Sequence, residues 1–238
     1  MKRHLVTAAA VIGLAACNVS AGKSETREVG DSTSRQYQVG AFSKIEVAGP
    51  YDVTVTTGKG PAVAATGGAN LLDETEVEVK GDTLIIRPKK KISLRWRGGK
   101  ASFTVSTQAL TAAAIAGSGD IKVDKGTGDF VGEVAGSGSL DVAEVKAGKA
   151  SFDIAGSGSV RAAGTAERTE VGIAGSGNVD GSQLVARTAA VSIAGSGGVL
   201  LQATESAEVD IAGSGNVDIS GGAKCKVSKA GSGNVTCG

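Results

Sequence analysis

The chain has 238 residues, enough for one domain with a sizeable core, and its net charge of +1 provides no general attraction to nucleic acid or other polyanions. Glycine is abundant at 37 residues, but with only 3 prolines and no Gly-X-Y period the sequence is not collagen, and 41% hydrophobic content excludes a disordered polar tract. Aromatic residues make up only 3%, so the core has to be built of Val, Ile, Leu and Ala.

The first residues have the shape of an export signal. Lys2, Arg3 and His4 precede an apolar stretch from Leu5 to Ala16 that is too short for a mature membrane-spanning helix. Leu14-Ala15-Ala16-Cys17 resembles the bacterial lipobox, in which the cysteine becomes the lipidated first residue. Residues 1–16 are therefore read as a lipoprotein signal peptide and Cys17 as the lipidation site. Ordinary cleavage after Val19-Ser20-Ala21 is the plainer alternative. Asn18 stands where lipoproteins retained at the inner membrane have Asp, which favours the outer membrane. Loss of residues 1–16 removes the only histidine, and with it His general bases, Ser-His-Asp triads and His metal sites. Residues 17–36 are polar and unpatterned and read as a tether.

Residues 37–110 read as first coils and cap hairpins. "VAGPYDVTV" places Ala48-Gly49 after an alternating strand, Ile45-Glu46-Val47. Gly81-Asp82 and Gly98-Gly99 each lie between alternating runs, as hairpin turns do. One run departs from the background: "RPKKKISLRWRGGK" carries Arg87, Lys89, Lys90, Lys91, Arg95, Arg97 and Lys100 and no acid. Alternation turns Ile92, Leu94 and Trp96 inward and Arg95 and Arg97 outward. Such a face suits an anionic glycan or lipid headgroup. The alternative is a charged guard on an exposed edge strand.

From residue 111 to 238 a single motif repeats. Ala-Gly-Ser-Gly occurs seven times, its Ala at 116, 135, 155, 174, 194, 212 and 230, at intervals of 18–20 residues. Periods near twenty mark a solenoid. Each motif is entered by alternating residues, such as Val171, Ile173 and Val209, Ile211, and left by another alternating run beginning at Ile121, Leu140, Val160, Val179, Val199, Val217 or Val235. The expectation is an all-β fold, a single-stranded parallel β-helix. Its corner is Ala-Gly-Ser-Gly, its inward residues stack into aliphatic ladders, and one outward row runs Lys122, Asp141, Arg161, Asp180. Cys225 and Cys237 both fall in inward slots of the last coil, on opposite sides of one corner. Outside the cytoplasm they are expected to form a disulfide.

The run "FSKIEVAGPYDVTVTTG", then "GDTLIIR", then serial "IAGSGNVD" resembles the bacterial envelope family of the autotransporter adhesin head GIN domain, over about residues 40–225. That resemblance implies a right-handed parallel β-helix in an exported lipoprotein. It carries no catalytic residues over.

Other site readings fail on the residues. The dinucleotide fingerprint needs Gly where this chain has Lys122, Asp141, Arg161, Asp180, Leu200, Asp218 and Thr236. Calcium β-rolls need Asp where it has Ile121, Leu140, Val160, Val179, Val199, Val217 and Val235. No metal or cofactor is expected. The carboxylates Asp124, Asp129, Glu144, Glu167 and Glu170 scatter through the variable part of the repeat. The function expected is a non-catalytic adhesion, binding or structural surface in the cell envelope. It would be held to the membrane by its N-terminal lipid, with envelope glycan or another envelope protein as partner. The alternative is a carbohydrate-active enzyme, distinguished by a groove that gathers two or more carboxylates.

Overall fold

A computed structural model describes residues 25–89, 94–97 and 100–238. Cys17 and the signal region lie outside the described residues, as do Lys90 and Lys91.

Residues 112–237 climb as a parallel β-solenoid, part of about seven turns with coils near nineteen residues. Each coil is one almost continuous strand, Asp120–Gly136, Ser139–Gly156, Ser159–Gly175, Asn178–Gly195 and Gly198–Gly213, broken only at the corner. On both sides of the corner register is in step from coil to coil, with Val134 beside Ile154, Ile173, Ile193 and Ile211, and shifts such as that between Val142 and Val145 fall in the variable part of the coil. All of these residues are buried, as are Ile121, Leu140, Val160, Val179, Val199 and Val217 on the wall that leaves the corner. Each such side chain contributes roughly 1.5–3 kcal/mol on full burial, and this repeats on every coil.

The two glycines of the corner do different jobs. The first (Gly117, Gly136, Gly156, Gly175, Gly195, Gly213 and Gly231) has φ between 127° and 135°, a region side chains avoid. The second is required for close approach. A Cβ on Gly158 would sit 2.5 Å from Val134 Cγ1 and 2.6 Å from the Gly138 carbonyl oxygen of the coil before. The hydrogen-bond ladder continues around the bend. Ser157 N–H donates to Gly136 O at 2.9 Å, and Ser137, Ser176, Ser196 and Ser214 do the same on their coils.

Chain order and spatial order part at the N-terminal end. The first coil is Lys44–Ala48 and Tyr51–Thr56, and it lies directly beneath the coil of Ala112–Gly117 and Asp120–Val123. Segments from both earlier and later in the chain pack underneath it. On the entering wall Thr83–Pro88 pairs in parallel with Lys44–Ala48, and Thr75–Lys80 closes that edge antiparallel. On the leaving wall Ala101–Ser106 pairs in parallel with Tyr51–Thr56, followed by Ala62–Gly68 and then Ser32–Tyr37, both antiparallel to their neighbours. A short helix, Ala69–Asp73, buries Leu71 and Leu72 over the end of the core. At this cap Tyr51 meets Phe103 edge-on at 5.5 Å and shares a hydrogen bond with Thr75 at 3.1 Å, while Phe130 and Phe152 pair within the coils at 6.3 Å.

Pro50 fits this order. It occupies the place of the corner serine whose N–H reaches down to a glycine carbonyl. Below the first coil the next strands on the two walls, Thr83–Pro88 and Ala101–Ser106, do not flank an Ala-Gly-Ser-Gly corner in the sequence, so a residue without an N–H suffices there.

Two expectations need correction. Gly81-Asp82 does turn a hairpin, with Lys80 opposite Thr83. Gly98-Gly99 lies outside the described residues, but the runs that flank it do not pair with each other: Leu94–Arg97 pairs in parallel with Glu25–Glu28, and Ala101–Ser106 pairs with Tyr51–Thr56 and Ala62–Gly68. The tether drawn over 17–36 also ends too late, because Ser32–Tyr37 is an edge strand of the cap. Alternation in 94–97 is compatible with any partner strand. Polarity in 32–37 reflects an outer edge, where one face meets water.

Candidate functional surface

Outward side chains stack one per coil, so any site on the walls is a row. The row Lys122, Asp141, Arg161, Asp180 runs in register as the spacing demands, continuing through Leu200 to Asp218. Its ion pair is Arg161–Asp180 at 3.4 Å; Ser182 is the stronger partner of that carboxylate, which is held below the usual range. Leu200, 46% exposed, is the apolar interruption.

The basic run is partly neutralised. Arg87 donates to Glu76 at 2.8 Å and Glu78 at 3.0 Å, and Lys100 binds Asp52 at 3.0 Å. Lys89 is exposed, with its N–H bonded to Glu74 O. Arg95 lies opposite Thr26 and Arg97 opposite Glu28 in the small parallel sheet. The cationic stretch available to a ligand is therefore narrower than the sequence suggested, because its two ends are engaged by acids of neighbouring strands.

The entering wall holds a second feature, a shallow groove of about 500 Å³. Its floor is the small side chains of Ala190 and Ser192 with Gly172, and its rims carry Asp153 and Glu170 on one side, Glu208 and Asp210 on the other. A Cβ on Gly172 would collide with the Asp153 carboxylate, so the bare glycine lets that side chain lie down against the sheet. This partial burial, with the Glu170 charge next to it, raises the Asp153 pKa. Glu170 is pulled the other way by hydrogen bonds from Lys149 and Arg168, each 2.7 Å long. Glu208 is likewise lowered by Lys226 at 2.7 Å. The groove thus gathers carboxylates, but two of them are closed into ion pairs. The described aromatic side chains that could stack on a sugar ring lie in or against the core. The sequence reading singled out Glu170 but missed Asp153; the signal was present, since Gly172 stands in its slot one coil on.

Among the described residues no cluster of three or more His, Cys, Asp and Glu has metal-site spacing, and no helix is long and apolar enough to cross a membrane. Cys225 and Cys237 are joined in a disulfide with Cα atoms 6.5 Å apart. Cys225 packs half-buried against the core, while Cys237 is exposed on the outer side of the last described coil.

These features define a class: a capped parallel β-solenoid whose outward rows carry charge and small side chains. Residues 41–223 match the family described as "Putative auto-transporter adhesin, head GIN domain", and the chain belongs to that family. Solved structures agree. A putative adhesin from Bacteroides fragilis is 25% identical, with TM-score 0.82 over 89% of this chain and 99% of the other. A putative lipid binding protein from Parabacteroides distasonis is 26% identical, with TM-score 0.72 over 90% of this chain and 100% of the other. A putative adhesin from the same organism is 24% identical, with TM-score 0.69 over the same shares, and shares the fold. No curated protein matches the sequence.

Proposed function

We propose that the protein is an exported envelope lipoprotein, anchored through Cys17, whose solenoid is a rigid non-catalytic surface for adhesion. The observation that carries this reading is the wall itself. Its ionic rows close among themselves on a one-dimensional scaffold, in a chain of an adhesin-like family. The contact region is the basic run of Lys89, Lys90, Lys91, Arg95 and Arg97, and its partner is an anionic envelope glycan. A lipid headgroup offers the same charge, and the Parabacteroides neighbour described as lipid binding makes that comparison worth running.

Binding to an immobilised anionic polysaccharide and to phosphatidylglycerol vesicles tests it. Arg95→Gln with Arg97→Gln should weaken binding to the polysaccharide several-fold, and added salt should erase the difference. Equal binding by both proteins overturns the contact region, and vesicle binding alone reassigns it to lipid. Cys17→Ser should move the protein from the membrane to the soluble fraction. Hydrolysis of the polysaccharide that is lost in Asp153→Asn would favour the carbohydrate-active alternative.

A further inference from the structure

Among the described residues the entering wall has two edges without a further strand, and they differ in charge. At the C-terminal end the outer strand is Lys224–Ala230, paired only with Ser206–Ala212 of the coil before. Residues 219–238 contain three lysines and no acid. At the other end the outer strand is Thr75–Lys80, paired with Thr83–Pro88. Residues 73–82 contain five acids and one lysine. We propose that these edges join, so that the acidic cap strand of one copy adds to the basic terminal strand of the next.

The topology fixes the sense of this pairing. Thr83–Pro88 runs parallel to the solenoid strands and Thr75–Lys80 runs against them. Copies stacked in the same direction therefore meet antiparallel. One register sets Glu76 opposite Lys226 and Glu78 opposite Lys224 on the outer face. The same register sets Thr75 opposite Val227 and Val77 opposite Cys225 on the inner face. Inward and outward residues match along its whole length, as a strand added to a sheet requires. Val227 is 46% exposed and Val77 half-buried, so both gain cover.

Charge also excludes the symmetric alternatives. Tail-to-tail pairing sets lysine against lysine and head-to-head sets glutamate against glutamate, each repulsive across a strand pair. Lysines on an open edge ordinarily prevent association with a like edge. Opposite an acidic edge they select the partner. Arg87 between Glu76 and Glu78, and Glu208 beside Lys226, extend the pairing into one row of alternating sign. The leaving wall of the cap is one strand taller, ending in Ser32–Tyr37, so the junction belongs to the entering wall and one copy leans on the next. A head-to-tail contact of this kind does not close on itself as a two-fold does and generates chains of copies. Such chains would multiply the adhesive surface.

Sedimentation velocity of the full chain with its disulfide intact decides the matter. The weight-average mass should rise above one chain with increasing concentration at low salt and fall back at high salt. Glu76→Lys with Glu78→Lys should abolish the rise, and so should Lys224→Glu with Lys226→Glu. An equimolar mixture of the two variants should restore it, because each supplies the complement of the other. Val227→Glu, which alters only the exposed end, should also abolish it without a change in the circular dichroism melt. A wild type that stays at one chain, association that survives either reversal, or a mixture that fails while both variants melt as the wild type does, overturns the proposal. Polysaccharide binding by the dispersed variants is measured in parallel, so the adhesion reading stands or falls separately.

Discussion

At the scale of the residue, Asp153 and Glu170 show how position on a wall sets a carboxylate's behaviour. Partial burial, then the neighbouring Glu170 charge, raises Asp153, with Lys149 opposing. A carboxyl raised in the folded state contributes stability fully present below the unfolded pKa, about 3.9 for Asp, and lost as pH climbs through the folded value. Asp153→Asn should therefore be more stable than the wild type at neutral pH, and the advantage should vanish below about pH 3.9. Glu170 has the opposite sign: its bonds from Lys149 and Arg168 contribute above the ordinary glutamate range and are lost as pH falls. Glu170→Gln should destabilise at neutral pH. Urea midpoints across pH check both, and an Asp153→Asn advantage that persists in acid would contradict the assignment.

At the scale of the element, the last described coil pairs with a neighbour on one side. Among the described residues its strands, Lys224–Ala230 and Asn234–Cys237, have no layer above them, unlike the coils before. Lys229 takes the slot of Ile211 and Ile193 and donates to Gly233 O at 2.7 Å, a polar finish to an aliphatic ladder. The Cys225–Cys237 bridge spans 12 residues of sequence across this coil. Closing such a loop contributes roughly 2–3 kcal/mol by restricting the unfolded chain. Cys237→Ser, or reduction, should speed amide exchange in the two terminal strands while leaving the strands of residues 139–195 protected. Unchanged exchange at the terminus would show that the coil holds without its bridge.

At the scale of the whole molecule, stability is close to a sum of repeats and their interfaces. Deleting residues 157–175, one 19-residue period, joins Gly156 to Ser176 and restores the motif at the junction. The second glycine of that corner, now Gly177, meets the coil before it as Gly158 did. The shortened protein should keep its β-type circular dichroism and a cooperative melt at reduced stability. Loss of the fold would mean that the coils are not interchangeable. The caps do not share this freedom. Leu71 and Leu72 seal the N-terminal end, and no repeat could replace them there.

The sequence by itself determined what repeats. A glycine at fixed intervals, an alternating run on each side and small residues at each corner leave few ways to bury the aliphatic positions, and parallel stacking in register satisfies all of them at once. The same period located the charged row of Lys122 to Asp180 and the inward slots of Cys225 and Cys237. What only the tertiary structure decided is everything that does not repeat: that residues 62–106 fold beneath residues 44–56, that Leu94–Arg97 pairs with Glu25–Glu28, and that Arg87 and Lys100 are claimed by Glu76, Glu78 and Asp52. A repeat states its neighbour in its own spacing. A cap strand with ordinary alternation fits several partners, and the choice among them is made by the helix that closes the core, the tall leaving wall and the charges across each edge. Some of these lie far from their strand in sequence, as Asp52 does from Lys100.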